Sequence, residues 1–221
     1  MNAASHTTFA VAGPDGHVTG VGALVNRMID RIFDLFARFG ADGYGEDLSL
    51  AQHMLQSAAL AQALGAGEGE IIAALLHDIG YFLHAEATGH ADPGQDFAHE
   101  SLGAVWLSQA FDEAVTSPIA LHVEAKRYLC ATQPGYFERL SGASQLSLSQ
   151  QGGVMSPAEA NAFAQRPGFE AALLLRRCDD QAKDAALPVQ SIEAYRERLI
   201  ALLRPSGVTR IETAIHPGAD Y

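Results

Sequence analysis

Six residues carry the side chains that hold divalent metal ions: His53, the adjacent pair His77-Asp78, His99, His122 and Asp179. The histidines stand beside apolar residues, as in Ala73-Ala74-Leu75-Leu76-His77-Asp78-Ile79-Gly80, where an unpaired imidazole is costly to bury. A single histidine in such a place is ordinarily a core residue with a hydrogen-bond partner. Four of them, with an adjacent carboxylate and with Asp179 inside Arg176-Arg177-Cys178-Asp179-Asp180, point instead to a metal site. A helix turning about 100° per residue sets His77 and Asp78 in neighbouring directions, so both can reach one ion and Asp78 can bridge to a second. Imidazole and carboxylate without thiolate favour iron, manganese or another borderline-to-hard divalent ion over structural zinc. The other five of the nine histidines, His6, His17, His84, His90 and His216, lie near the ends or beside a Gly-containing loop and read as solvated.

The elements that must position these residues are helical. Leu24, Met28, Ile32, Leu35, Phe36 and Phe39 recur at helical spacing before Gly40 stops the run. Further helices are expected near 47–64, 68–84, 98–110, 113–131, 134–140, 156–164, 168–182 and 191–204, with loops at 85–97 and 141–155. Ser156-Pro157-Ala158-Glu159 reads as a helix start, with a Ser cap, Pro at the first helical position and acid in the first turn. No series of alternating strands is present, so the expected fold is all-α, a helical bundle in a single domain. Residues 1–21 read as an N-terminal extension, 22–205 as the domain and 206–221 as a tail.

Composition bounds the partners. Fourteen Lys and Arg against 26 Asp and Glu leave a net charge of −12 over 221 residues, which argues against nucleic acid or an anionic membrane surface as partner. The first basic residue is Arg27, no apolar run approaches a membrane span, and Cys130 and Cys178 form no disulfide framework, so a cytoplasmic location is expected. Oligomeric state is not legible. An anionic small substrate would need a local cluster of cations. Lys126 stands one helical turn from His122, and Arg176 one turn from Asp179, which sets both apart from Arg127 and Arg177 as candidates for such a cluster.

The order His53, His77-Asp78, His99, His122, Asp179 resembles the HD-domain superfamily of all-helical metalloproteins, and its two additional histidines on intervening helices imply a dinuclear site. Longer stretches narrow the resemblance: Tyr44-Gly45-Glu46, Gln52-His53, Ala73 to Gly80, His122-Val123-Glu124-Ala125-Lys126-Arg127-Tyr128-Leu129, and Gln151-Gly152-Gly153-Val154-Met155. They are similar to the HD-domain diiron oxygenases of organophosphonate breakdown. The likeness runs from about residue 24 to 204.

That resemblance implies two irons per chain, mixed-valent Fe(II)/Fe(III), with O2 as cosubstrate. One iron would be held by His53, His77, Asp78 and Asp179, the other by Asp78, His99 and His122. The implied reaction is oxidative cleavage of the C–P bond of a 1-hydroxy-2-(trimethylamino or amino)ethylphosphonate, giving phosphate and glycine betaine or glycine. Lys126, Arg176, Ser144, Ser147 and Gln151 match positions that hold the phosphonate. Glu46 matches an acid that faces the substrate ammonium, and Tyr44 a tyrosine that caps an iron. Two departures stand out: Tyr44 and Glu46 are two apart rather than three, and Tyr81 occupies the place of a substrate-binding histidine. Tyr44, Tyr81, Phe82 and Phe97 could together receive a quaternary ammonium by cation–π contact. The alternative reading within the superfamily is a metal-dependent phosphohydrolase of a phosphate monoester or nucleotide, which needs no O2.

Overall fold

A computed structural model of the chain describes residues 20–43, 48–89 and 97–204, with side chains from residue 27 onward. The extension and tail expected at 1–21 and 206–221 lie outside the described residues, except that Gly20 and Val21 already belong to the first helix.

The chain is all-α. Helix α1 (Gly20–Phe39) presents Met28, Ile29, Ile32, Leu35 and Phe36 to the core. Helix α2 (Leu50–Ala63) starts at a capping box in which the Ser49 hydroxyl accepts from the Gln52 N–H and the Gln52 side chain accepts from the Ser49 N–H. Helices α3 (Glu68–Leu76) and α4 (Ile79–Thr88) follow, then α5 (His99–Leu107) and α6 (Glu113–Thr132). Short helices α7 (Tyr136–Arg139), α8 (Gly142–Gln150) and α9 (Pro157–Phe163) lead to α10 (Phe169–Gln181), and a 3₁₀ turn at Ile192–Tyr195 runs into α11 (Arg196–Ala201). Helix α10 packs against both α6 and α2, and α3 packs between α2 and α6. One apolar cluster joins α1 to α6 with α10 and α11, and a second lies between the C-terminal half of α6 and α7 to α10. The metal-site candidates sit where these helices converge.

Two expectations about the elements are corrected. The helix expected over 68–84 breaks at His77 and Asp78, where Asp78 takes φ −101° and ψ 12°, so the pair lies at a junction between α3 and α4 rather than along a continuous helix. The segment 141–155 is largely helical. Ser141 caps α8 by accepting from the Ser144 N–H, and the polar sequence of α8 lacks the apolar stripe by which sequence reading finds a helix. Among the described residues no helix is long and apolar enough to cross a membrane.

Candidate metal centre

Five elements deliver the six expected residues to one place: α2 brings His53, the α3–α4 junction His77 and Asp78, α5 His99, α6 His122 and α10 Asp179. All six are buried, with exposures between 0% and 3%. They fall into two groups that could each hold an ion, His53-His77-Asp78 and Asp78-His99-His122. Asp78 is common to both and turns one carboxylate oxygen to each. Its Oδ2 lies 3.6 Å from His53 Nε2 and 3.3 Å from His77 Nε2, and its Oδ1 lies 3.4 Å from His99 Nε2 and 3.9 Å from His122 Nε2. Asp179 joins the first group, 3.3 Å from His53 Nε2 and 3.9 Å from His77 Nε2.

The backbone decides which imidazole nitrogen faces inward. His53 Nδ1 donates to the Ala182 carbonyl at 2.9 Å, His77 Nδ1 to Ala74 at 2.8 Å and His122 Nδ1 to Ile119 at 2.8 Å. Each Nδ1 carries the proton, so each Nε2 offers a lone pair to the interior. Two pairs of Nε2 atoms then meet at 3.2 Å, His53 with His77 and His99 with His122, with carboxylate oxygens beside them. Lone pairs at that distance repel unless a cation lies between them, so the donor set fits a metal ion in each group. The titration behaviour has the same origin. Burial disfavours charge on His77, but Asp78 outweighs it and raises the imidazole to about 9. Burial together with His99 and His77 drives His122 down to about 3. Burial opposes ionisation of Asp78, yet His77 and His99 hold it well below the usual carboxylate range. The buried carboxylates therefore favour positive charge at His77, while His122 resists a proton of its own.

A small polar cleft opens onto the Asp78-His99-His122 group. Its walls bring together every expected phosphonate contact that the structure describes: Lys126, Arg176, Ser144, Ser147, Gln151 and Tyr81. Tyr44 and Glu46 lie outside the described residues. Lys126 is buried and donates from Nζ to Ser147 Oγ at 2.7 Å. Arg176, also buried, donates to Asp179 at 2.7 Å and to Asp180 through Nε at 3.0 Å. Tyr81 stacks on His99 with ring centroids 4.3 Å apart.

Some sequence readings change. Phe82 is fully buried and packs edge-on against Phe36, 5.1 Å between centroids, so it belongs to the core and not to an aromatic receptor. His84 is half-buried and stacks on Phe97 rather than standing in solvent, whereas His6, His17, His90 and His216 lie outside the described residues. Arg177 is exposed, but Arg127 donates to the Gly153 carbonyl at 2.9 Å and the Gly152 carbonyl at 3.3 Å. Gly152 and Gly153 have φ of +90° and +69°, which suits glycine. Arg127 thus holds the turn next to Gln151, and its adjacency to Lys126 was the signal for it. Sequence reading also missed Asp180 and Tyr136. The Tyr136 hydroxyl donates to Asp180, which in turn grips Arg176, and nothing in the spacing of Tyr136 and Asp180 marks that contact. Cys178 is buried next to Asp179, where burial and then that carboxylate push its thiol up to about 12, so it stays protonated.

The HD domain family matches residues 50–150, the stretch that carries His53, His77, Asp78, His99 and His122. Over 182 residues the chain is 42% identical to the hydroxymethylphosphonate dioxygenase of Gimesia maris, covering 80% of this chain and 89% of that one. The chain belongs to the family of HD-domain phosphonate dioxygenases. The [1-hydroxy-2-(trimethylamino)ethyl]phosphonate dioxygenase (glycine-betaine-forming) of Leisingera caerulea is 42% identical over 159 residues, covering 72% of this chain and 81% of its own. An uncharacterized protein of Acanthamoeba polyphaga mimivirus is 34% identical over 181 residues, covering 80% of this HD-domain oxygenase and 83% of itself.

Proposed function

We propose that the protein uses O2 to cleave the C–P bond of a 1-hydroxyalkylphosphonate, releasing phosphate and a carboxylate. The observation that carries this reading is the junction of a cationic, hydroxyl-lined cleft with a histidine group that could hold a metal ion: Lys126, Arg176 and Ser144 share walls with Asp78, His99 and His122. The relatives support it through their shared chemistry, since both named substrates carry a hydroxyl on the carbon attached to phosphorus. Glycine betaine, glycine or formate is the carboxylate for a trimethylaminomethyl, aminomethyl or hydrogen substituent on that carbon.

The balance needs no outside reductant. The 1-hydroxyphosphonate and O2 become a carboxylate, hydrogen phosphate and a proton; one C–H bond and the C–P bond break, and each product gains one oxygen. The carbon supplies all four electrons that reduce O2. We assign His53, His77, Asp78 and Asp179 to one iron and Asp78, His99 and His122 to the other. When bound, a mixed-valent Fe(II)/Fe(III) pair supplies O2 activation and a Lewis acid for the substrate hydroxyl. The chain's own residues do the rest. Lys126 and Arg176 neutralise the phosphonate, Ser144 and Gln151 hydrogen-bond its oxygens, and Ser147 fixes the Lys126 ammonium through Oγ. Asp179 and Asp180 hold the Arg176 guanidinium, so its direction is set before substrate arrives.

Protein loaded with iron and supplied with ascorbate should release phosphate from hydroxymethylphosphonate or from the 2-amino or 2-trimethylamino 1-hydroxyethyl compounds only in the presence of O2, with one O2 consumed per phosphate. Equal release under strict anaerobiosis would sink the oxygenase reading in favour of hydrolysis.

Substrate affinity should also depend on pH through Lys126. Burial foremost, and then the Arg176 guanidinium, lower its ammonium to about 8. Below that value Lys126 is charged and pairs with the dianion; above it the charge is lost while the phosphonate stays anionic. KM should therefore rise about tenfold per pH unit above 8, and Lys126→Arg should abolish that rise. A KM flat from pH 7 to 9.5 in the wild type would remove the Lys126 charge from substrate binding.

A further inference from the structure

One lysine behind the cleft wall belongs to none of the motifs legible in the sequence. Lys183, just beyond α10, is half-buried and donates from Nζ to Ser141 Oγ at 2.7 Å and to Ser144 Oγ at 3.2 Å. Ser141 spends its own hydroxyl proton on Ser144 Oγ, also at 3.2 Å, while accepting from the Ser144 N–H at 3.3 Å. A serine hydroxyl has one proton and two lone pairs. At Ser144 both lone pairs are engaged by donors, and the group it has left to offer is its O–H. Ser144 is 8% exposed and lines the cleft, so the exposed remainder faces the space where a ligand sits. Ser147, one turn later on α8, is wired the other way: it accepts from Lys126 and donates to the Ser144 carbonyl at 3.2 Å, leaving no proton for a ligand.

We infer that Lys183 is a positioning residue which, with Ser141, makes the Ser144 hydroxyl a dedicated donor to a tetrahedral oxyanion in the cleft. The inference rests on the phosphonate reading above and deepens it by assigning a direction to one hydrogen bond and a cation behind it. A donor whose oxygen is held by an ammonium is more acidic than an ordinary hydroxyl and binds an anionic acceptor more strongly. It also selects against ligands that present a donor at that point, because such a group would meet a proton rather than a lone pair.

The test is a double-mutant cycle on the metal-loaded protein with Lys183→Met, Ser144→Ala and the pair, using hydroxymethylphosphonate and inorganic phosphate as probes in calorimetry. Each single change should weaken binding of both anions by about tenfold, and the double variant should lose no more than the worse single, because one residue acts through the other. KM should follow the affinities while kcat and metal content hold, and Ser141→Ala should reproduce part of the Lys183→Met loss. Losses that multiply to about a hundredfold, or a Lys183→Met protein that binds both probes like wild type, would overturn the inference. Wild-type protein that binds neither probe would overturn the phosphonate reading along with it.

Discussion

Asp78→Ala should take the metal content from two ions per chain to one at most and lower turnover by more than about a hundredfold. Asp78 is the residue common to both candidate groups, with one oxygen toward His53 and His77 and the other toward His99 and His122. Removing it leaves the second group with two imidazoles and no anion to offset a divalent charge. Neither of its histidines can compensate, since a neutral imidazole offers a lone pair but no negative charge. Asp78→Asn should fare little better, because it keeps the shape but loses the negative charge common to the two candidate groups. Elemental analysis of purified protein reads the outcome directly, with circular dichroism confirming that the helices persist. Two tightly held ions in Asp78→Ala would contradict the bridging assignment.

Among the glycines that the structure describes, Gly80 should tolerate alanine least. Gly80 lies where α4 crosses α5, and a Cβ there would stand 2.0 Å from the His99 carbonyl oxygen and 2.9 Å from its Cα. Gly103 answers from the other helix: a Cβ on it would come within 3.2 Å of the Gly80 nitrogen and of the Ile79 side chain. Two glycines therefore let the backbones touch at the point where His99 is hung. Alanine ordinarily gains about 1 kcal/mol over glycine in a helix, but overpacking against rigid backbone costs about 3 kcal/mol, so the clash wins. A fall in Tm of about 4 to 8 °C is expected, together with weaker metal binding at the candidate Asp78-His99-His122 group, because α5 must retreat from α4. Gly142→Ala is the control. It lies at the start of α8 with nothing within 4 Å of its would-be Cβ, and it should leave Tm unchanged or slightly higher. Equal stability of the two variants would mean that α4 and α5 can separate at no cost.

How much of this was legible in the sequence depends on the kind of residue. The histidines and carboxylates could be picked out because an ionisable group inside an apolar helical pattern is costly without a partner, and six of them leave few partners except one another or a metal. Lys126 and Arg176 were legible through helical spacing from His122 and Asp179, since one turn along a helix returns to the same face. The break at His77-Asp78 was not, because the run before it is made of good helix formers and one glycine two residues later lowers helix propensity without ending a helix. Helix α8 was missed for the opposite reason: only Leu148 anchors it in the apolar core, too little for a periodic stripe, and the Ser141 cap and the bonds from Lys126 and Lys183 supply the rest of its order. Phe82 could not be told from Phe97 by residue type, and only the fold sets Phe82 against Phe36 in the core and Phe97 against His84 and Tyr81.

The amino-acid sequence by itself determined the class of chemistry, since side-chain identity sets which ligand atoms exist: imidazole and carboxylate without thiolate, and cations one turn away for an anion. It determined the all-helical fold as well, through periodicity that is a local property of the chain. Only the tertiary structure decided how those atoms are divided and aimed. The sharing of Asp78 between two pairs of histidines, the Ala182 carbonyl that turns His53 Nε2 inward, the Tyr136-Asp180 grip on Arg176 and the Lys183 bond to Ser144 all join residues far apart in sequence. Hydrogen bonds of that kind depend on distances below about 3.5 Å between separate elements, and no local pattern of residue types encodes a distance across a helix interface.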